Sequence, residues 1–205
     1  MQLSHLFERC LDADYITLDN SADVAVERAG DVLYIYLESS DGGVDWHNNF
    51  DFPAIAYSHA GKGAWRAHRG FLRVWRSAQD YLAPIIADAQ VERIVTVGFS
   101  HGGALAVLCH EYVWYHRPDL RERIEGYGFG APRVIWGVPS AALVTRWERF
   151  AVVRNLDDIV THLPPKALGY THVGHMLEIG EQGRYSRVDA HRPENILAEL
   201  KRAGI

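Results

Sequence analysis

Cysteine is scarce in this sequence: the 205 residues contain two, Cys10 and Cys109, which belong to no spaced motif. This scarcity argues against a disulfide framework and is typical of proteins in a reducing compartment. Cys109 lies in an apolar run, so we expect it to be a small core residue. Residues 1–15 show no basic start followed by an apolar stretch, which predicts no signal peptide and a cytoplasmic location.

Long apolar runs and clusters of positive charge are missing as well. No segment approaches the roughly 18–20 consecutive apolar residues of a membrane span, so we expect no stable membrane insertion. The formal net charge is −5 and no run rich in lysine or arginine occurs, which argues against a nucleic-acid partner. Nothing in the composition indicates an oligomeric state.

Histidines are more numerous, but they do not cluster: the 11 of them are scattered from His5 to His191. His172 and His175 differ by three positions, which would place them on opposite faces of a strand, and no further ligand lies near them in the sequence. We therefore predict no metal site.

The chain does contain an alternation of segments typical of strands and helices. Apolar spacing and flanking residues predict helices at 3–13, 69–89, 102–116 and 193–203. Runs rich in β-branched and aromatic residues predict strands at 31–39, 93–98, 123–129, 149–155, near 170–179 and at 184–188. Pro84 is expected to kink the second helix or to begin a separate last turn. This alternation predicts an α/β fold with a mainly parallel central sheet flanked by helices, in one domain spanning residues 1–205.

The sharpest chemical signal is the pentapeptide GFSHG at residues 98–102, between a predicted strand and a predicted helix. At a tight strand-to-helix turn two backbone segments come together, so glycines two positions either side of Ser100 remove side chains that would collide. The serine hydroxyl then points out of the turn, and free N–H groups at the helix start favour negative charge. The pattern predicts a nucleophilic serine; a serine that merely caps the helix is the alternative.

A neutral serine is a weak nucleophile and requires a base, together with a group that orients this base. In a fold of this type the expected chain order is serine, acid, histidine. Asp157 and Asp158 follow a predicted strand, where loop carboxylates reach such a site. His191 lies between a predicted short strand and the last helix, so this order is satisfied.

Four segments make the sequence similar to the class 3 lipase family, the fungal-type triacylglycerol lipases and their bacterial and phage relatives. They are VGFSHGGALA around Ser100, YGFGAPRV at 127–134, DDIVTHLPP at 157–165 and HRGFLRVW at 68–75. The resemblance covers most of the chain. It implies an α/β-hydrolase fold, a serine ester hydrolase that needs no cofactor, and a small-molecule ester or lipid as the substrate.

The resemblance also implies roles for single residues. It assigns the acid to Asp158, because the family's carboxylate immediately precedes Ile-Val, and leaves Asp157 as a solvated neighbour. It makes His191 the base, since this histidine comes late in the chain and before a helix. His172 matches a position that is not the base in the family, and His162 is too close in sequence to Asp158.

Acyl transfer places negative charge on a carbonyl oxygen, and losing one of its two usual donors costs about 2.7–4 kcal/mol in comparable hydrolases. His101 is expected to supply the first donor through its backbone N–H, while its side chain points away from the serine. The resemblance makes Ser40 the second donor, with Ser39 as the alternative. Here Glu38-Ser39 replaces the family's Arg-Gly, and Thr161 stands where a proline is usual.

The segment that matches the lid of the fungal enzymes, residues 42–50, is short and has three large apolar residues, Val44, Trp46 and Phe50. A lid that opens at a lipid surface needs a broad apolar underside, so we expect an esterase acting on short-chain or small soluble esters. Trp46 and Phe99 are the candidate substrate-binding side chains, although Trp46 and Phe50 would also fit the core. A thioesterase or polyester hydrolase would use the same machinery, and a non-catalytic binding module that keeps the fold is the alternative of another class.

Overall fold

Strands and helices alternate in the computed structural model of the chain, which describes residues 2–39, 53–59 and 62–205. The helices are α1 (Leu3–Leu11), α2 (Arg69–Ile86), α3 (His101–His116), α4 (Ala141–Val144) and α5 (Pro193–Ala203). The strands are β1 (Ile16–Thr17), β2 (Ala22–Ala29), β3 (Val32–Ser39), β4 (Ala54–His59), β5 (Lys62–His68), β6 (Arg93–Phe99), β7 (Ile124–Phe129), β8 (Ile135–Trp136), β9 (Phe150–Asn155), β10 (Tyr170–Thr171) and β11 (His175–Ile179). The four helices predicted from the sequence are present as α1, α2, α3 and α5.

The larger sheet has the strand order β1-β2-β3-β6-β7-β9-β11. From β3 to β11 every neighbouring pair is parallel, whereas β1 and β2 join antiparallel at one edge. The carboxyl ends of the parallel strands therefore meet at one edge of the sheet, which is where ligands bind in open α/β sheets. The prediction of an α/β fold with a mainly parallel central sheet is confirmed.

Helices cover both faces of this sheet. One core lies on the side of α2 and α3 and includes Trp75, and the other lies beneath α1 and α5 and includes Phe7 and Phe129. Every residue of α3 from Gly102 to Val113 is buried, so the helix that follows Ser100 runs through the interior of the molecule. Cys109 of this helix is a buried free thiol, as expected of a core residue.

A second sheet, which the sequence analysis does not predict, packs against the core of α2 and α3. Its order is β10-β8-β5-β4, with antiparallel pairing throughout. Tyr57 and Ile135 bring this sheet into the same core as the two helices. At the end of β5, Nδ1 of His68 accepts a hydrogen bond from the backbone N–H of Phe71 and so caps α2. The second sheet thereby fixes the start of α2.

One of the predicted strands is wrong, and another is divided into two. Residues 184–188 form turns instead of a strand, and Tyr185 in these turns donates a hydrogen bond from its hydroxyl to Glu199 of α5 (2.9 Å). Residues 170–179 form two strands of different sheets, β10 and β11, because the chain turns at Gly174 with φ 78°. A Cβ at Gly174 would lie 2.4 Å from the carbonyl oxygen of Phe150, so the turn depends on glycine.

Two further expectations change with these elements. His172 lies in the connection between β10 and β11, so it does not share a strand with His175 and the opposite-face argument for this pair fails. Pro84 stays inside α2, which continues to Ile86 without a separate last turn. Because proline has no N–H, α2 lacks the one backbone hydrogen bond that residue 84 would otherwise donate.

A buried carboxylate connects α3 to its neighbours. Glu111 is fully buried, and it bonds Nε2 of His59 in β4 at 2.7 Å and the guanidinium of Arg146. Nδ1 of His59 lies 3.2 Å from Nε2 of His116 at the end of α3. Because a buried charge without partners is costly, these bonds fix β4 and Arg146 relative to the C-terminal half of α3.

His110 gives the core of the protein a sensitivity to acid. Burial lowers the pKa of this histidine to about 3, whereas an unfolded histidine has a pKa of about 6.5. Between about pH 6.5 and pH 3 the unfolded state therefore binds more protons than the folded state. We expect the His110 contribution to be complete above about pH 6.5 and the free energy of unfolding to fall below it by up to about 1.4 kcal/mol per pH unit. Urea denaturation at a series of pH values measures this slope.

Two variants separate this effect from that of the carboxylates, which contribute to the slope in every protein compared. His110→Gln should make the acid slope shallower, because the substituted side chain cannot titrate. His5→Gln, at an exposed position, should leave the slope as it is in the parent. An equal slope in the parent and in His110→Gln would contradict a buried neutral imidazole.

Candidate active site

Ser100 lies between β6 and α3, at a turn with unusual backbone geometry. Its φ of 54° and ψ of −120° fall outside the regions that residues with a side chain normally adopt. Its backbone N–H donates to the carbonyl oxygen of Phe129 in the neighbouring strand (2.9 Å). Strain of this kind between a strand and a helix is found where a nucleophile is presented.

The two glycines of the pentapeptide are required by close backbone contacts. A Cβ at Gly98 would lie 2.1 Å from the carbonyl oxygen of Gly102, and a Cβ at Gly102 would lie 1.9 Å from that of Leu37 in β3. Neither neighbour is a flexible side chain, so any other residue at these positions would displace backbone. The glycine spacing thus follows from the close approach of α3 to β6 and β3.

Ser100, His191 and Asp158 form a hydrogen-bonded chain across three segments that are far apart in sequence. Oγ of Ser100 lies 2.8 Å from Nε2 of His191, and Nδ1 of His191 lies 2.9 Å from Oδ2 of Asp158. Since an ionised carboxylate only accepts, Nδ1 carries the proton and Nε2 is left to accept the serine O–H. The structure thus brings together the three residues that the sequence analysis selects, with the imidazole in the tautomer that a general base needs.

Asp158 is fully buried and is held by its own loop. Its Oδ1 accepts the backbone N–H of Val160 (2.8 Å), and its own N–H donates to the carbonyl oxygen of Asn155 (3.0 Å). The hydroxyl of Thr161 donates to the carbonyl oxygen of Asp158 (2.9 Å). Thr161, where the resemblance expects a proline, therefore restrains the same loop by a hydrogen bond.

The other candidates for acid and base lie elsewhere. The carboxylate of Asp157 accepts the backbone N–H of Gly183. Nε2 of His172 donates to the carbonyl oxygen of Thr161 (2.7 Å), and burial lowers its pKa to about 4. His162 ends a short 3₁₀ turn, and its pKa is also lowered, chiefly by burial. Among the described residues, none of these three candidates bonds to Ser100 or to His191.

Gly130, directly after β7, is a site residue that the sequence analysis does not single out. It has φ 57°, and a Cβ at this position would lie 2.9 Å from Nδ1 of His191 and 3.1 Å from Oδ2 of Asp158. Only a residue without a side chain leaves room for the carboxylate and the imidazole. The signal is present in the segment YGFGAPRV, but its physical reason appears only in three dimensions.

Phe99 packs against the imidazole of the site. Its ring centroid lies 5.0 Å from that of His191 with an interplanar angle of 23°, and 5.6 Å from that of Phe7 in an edge-to-face arrangement. Such stacking restricts the tilt of the imidazole. Contact of Phe99 with a substrate stays a prediction.

His101 opens α3 directly after the serine. Its ring lies 5.0 Å from that of Phe71 in α2, and its N–H belongs to the first turn of the helix, where backbone donors have no acceptor within the helix. Ser39 is the last residue of β3. Three other predictions concern parts outside the described residues: the second donor Ser40, the side chain of Trp46 and the lid segment 42–50.

The described residues contain neither a metal-binding cluster nor a membrane-spanning helix. Within residues 2–39, 53–59 and 62–205, no group of three or more His, Cys, Asp or Glu side chains could hold a metal ion. No helix in these ranges is both long and apolar enough to cross a membrane. Acyl transfer by serine, histidine and carboxylate requires no metal, and the absence of a cofactor stays a prediction.

Known proteins resemble this chain in sequence and in fold. The family model described as Lipase (class 3) matches residues 34–168. The lipase of Rhizomucor miehei is 30% identical over 170 residues, which cover 76% of this chain and 44% of that protein. The secreted mono- and diacylglycerol lipase 1 of Fusarium solani is 28% identical over 156 residues, or 74% of this chain and 45% of that protein. A solved structure of the triacylglyceride lipase of Rhizomucor miehei superposes with a TM-score of 0.69 at 24% identity, covering 83% of this chain and 68% of that chain.

These matches differ in what they establish. The structural likeness shows the predicted α/β-hydrolase fold. The matched region spans less than half the length of each of the two curated relatives. The relative from Fusarium solani is secreted according to its name. For this chain, the cytoplasmic location and the single domain over residues 1–205 both stay predictions.

Proposed function

Since this chain belongs to the class 3 lipase family, we propose that it is a serine hydrolase that cleaves carboxylic esters through an acyl-enzyme. Ser100 is the nucleophile, His191 is the general base and acid, and Asp158 orients the imidazole and stabilises its charged form. No cofactor takes part. The observation that carries the proposal is the hydrogen-bonded chain from Oγ of Ser100 through His191 to the buried carboxylate of Asp158.

In the first half of the proposed reaction, Oγ of Ser100 attacks the carbonyl carbon of the ester while its proton moves to Nε2 of His191. The imidazole becomes a cation, which Oδ2 of Asp158 stabilises through Nδ1–H. The former carbonyl oxygen carries the negative charge, and the N–H of His101 at the helix start is one of its donors. Collapse of the tetrahedral intermediate breaks the bond to the alcohol, which takes the proton from His191 and leaves.

In the second half, a water molecule attacks the acyl carbon while Nε2 of His191 takes its proton. Collapse of the second intermediate releases the carboxylic acid and returns a proton to Oγ of Ser100. One ester and one water thus become one acid and one alcohol, and the protein ends in the state in which it began.

Short-chain or small soluble esters are the substrates we propose. The support comes from the lid segment, residues 42–50, which has only Val44, Trp46 and Phe50 as large apolar side chains. So few apolar side chains offer little area to a lipid surface. The relatives described above are lipases by name, so the preferred acyl length is the property in which we expect this chain to differ from them.

Hydrolysis of nitrophenyl esters of increasing acyl length tests this proposal. We expect kcat/KM to be highest for the acetate or butyrate and to fall by about tenfold or more towards the palmitate. Matched thioesters and a polyester film are assayed in parallel, because the same machinery attacks any activated acyl carbon. Highest rates on emulsified palmitate would contradict the short-chain preference, and faster cleavage of the thioesters would reassign the enzyme as a thioesterase.

Two histidine variants complete the assay. His191→Ala should abolish turnover, whereas His5→Ala, at an exposed position, should leave it unchanged. Full turnover in His191→Ala would exclude the mechanism. Binding of the ester without turnover in the parent would favour a non-catalytic binding module.

A further inference from the structure

We propose that Asn155 is a positioning residue that holds His191 in place between Asp158 and Ser100, an inference that rests on the function proposed above. Asn155 is the last residue of β9, shortly before the loop that carries the acid. Its hydrogen bonds reach Asp158 in that loop and Ala190, directly before His191. Among the described residues, none of these bonds involves Ser100 or the imidazole of His191.

Asn155 joins these two segments through its backbone and its side chain. Its carbonyl oxygen accepts the N–H of Asp158 (3.0 Å), and its Nδ2 donates to the carbonyl oxygen of Ala190 (3.0 Å). Ala190 immediately precedes His191 in the 3₁₀ turn Asp189–His191. A single fully buried residue therefore sets the spacing between the segment of the acid and the segment of the imidazole.

The amide of Asn155 lies where a polar group is costly. Its Oδ1 is buried and, within the described residues, has no hydrogen-bond partner, so the amide carries a desolvation penalty that an apolar side chain would avoid. Gly180, with φ 79°, leaves room for it, because a Cβ there would lie 2.4 Å from Oδ1 of Asn155. The Nδ2 group of the same amide does have a partner, the carbonyl oxygen of Ala190. This bond is therefore the interaction that an apolar side chain at position 155 would lose.

A second amide holds the neighbouring carbonyl of the same turn. Asn195, in the first turn of α5, donates from Nδ2 to the carbonyl oxygen of Asp189 (2.8 Å). The turn Asp189–His191 is thus restrained from β9 on one side and from α5 on the other. These restraints act on the peptide units directly before His191, which set the direction of its Cα–Cβ bond.

Small displacements of this turn matter because the imidazole of His191 makes two hydrogen bonds at once, one on each ring nitrogen. Nε2 of His191 lies 2.8 Å from Oγ of Ser100, and Nδ1 lies 2.9 Å from Asp158. A misplacement of about 1 Å costs about a hundredfold in rate. Loss of the Asn155 donor should therefore lower kcat and leave substrate binding unaffected, because the donor holds the base and does not contact the ester.

The test is Asn155→Asp, which keeps the shape of the side chain and turns an oxygen towards the carbonyl of Ala190. With nitrophenyl acetate we expect kcat to fall by about ten- to a hundredfold and KM to change by less than about threefold. The downfield proton resonance of Nδ1–H on His191, which reports its bond to Asp158, should broaden or disappear. Asn195→Ala should show the same split with a smaller loss of kcat, and it keeps the test valid if the buried variant fails to fold.

The matched control is Val113→Ala, which removes buried volume at the far end of α3. It should lower the free energy of unfolding without changing kcat or the Nδ1–H resonance. A loss of kcat in Asn155→Asp and Asn195→Ala no larger than that in Val113→Ala would overturn the positioning role. The two proposals fail separately: activity in Ser100→Ala defeats the proposed function, whereas an inactive Ser100→Ala beside a fully active Asn155→Asp defeats only the role of Asn155.

Discussion

Replacing Ser100 by alanine is expected to lower kcat for a nitrophenyl ester by about 10⁶-fold. The change removes Oγ, the atom that lies 2.8 Å from Nε2 of His191, and keeps Cβ. The backbone strain at φ 54° is therefore the same in both proteins, so the loss of rate reports the missing nucleophile. The measurement is steady-state hydrolysis of nitrophenyl acetate, with mass spectrometry of the protein after exposure to a phosphonate ester.

The phosphonate should add covalently to Oγ of Ser100 in the parent and should leave Ser100→Ala unlabelled. Ser140→Ala is the matched control, since this serine caps α4 at the surface through its hydroxyl. It should be labelled and should turn over the ester as the parent does. Turnover in Ser100→Ala within about tenfold of the parent would rule out an acyl-enzyme on this serine.

Asp158→Asn is expected to lower kcat by about 10⁴-fold. Oδ2 of Asp158 accepts the proton on Nδ1 of His191, whereas an amide that turns its NH₂ to this nitrogen requires it to accept. The proton of the neutral imidazole then lies on Nε2, which can no longer take the proton of Ser100. Because Asp158 is fully buried, the kinetics are measured on protein whose far-ultraviolet circular dichroism matches the parent.

Asp157→Asn is the matched control for the acid. Asp157 has φ 72°, a conformation that asparagine tolerates, and its carboxylate bonds Gly183 instead of a histidine. We expect the activity of this variant to equal that of the parent. The opposite pair of results, an active Asp158→Asn and an inactive Asp157→Asn, would identify Asp157 as the acid.

The fold is predictable from the sequence where the apolar pattern is strong. The strand predicted at 93–98 and the helix predicted at 102–116 agree with β6 and α3 to within one residue at a boundary. The agreement is close because both segments are mostly apolar. The pattern does not reveal β2, whose second half contains Glu27 and Arg28, or β4 and β5, which are rich in alanine and histidine and contain a single β-branched residue, Ile55. Such strands depend on pairing with partners elsewhere in the chain, and a local pattern does not contain this information.

The candidate site is predictable only where local chemistry imposes a pattern. The glycines around Ser100 follow from the crowding of one turn, so they appear as a spacing in the sequence. Asp158 and His191 are selected by chain order and by resemblance, since nothing local shows that an imidazole 91 positions away reaches the serine. Gly130 and Asn155 are not predicted from the sequence. Gly130 matters because the absence of a side chain leaves room for His191 and Asp158, and Asn155 matters because it bonds a turn 35 positions away.

The burial of α3 on every side has a consequence for how accurately the Ser100 hydroxyl is aimed. A helix on a protein surface finds its rotation about its own axis from its apolar stripe, since turning would expose that stripe. α3 has no such stripe, because residues 102–113 are all buried. It is held instead by close packing on all sides, by the close backbone approach of Gly102 to Leu37 near its start and by the two bonds of Glu111 in its second half. The start of this helix, where Ser100 presents its hydroxyl, is therefore held by direct contacts with neighbouring segments and not by a boundary between protein and water.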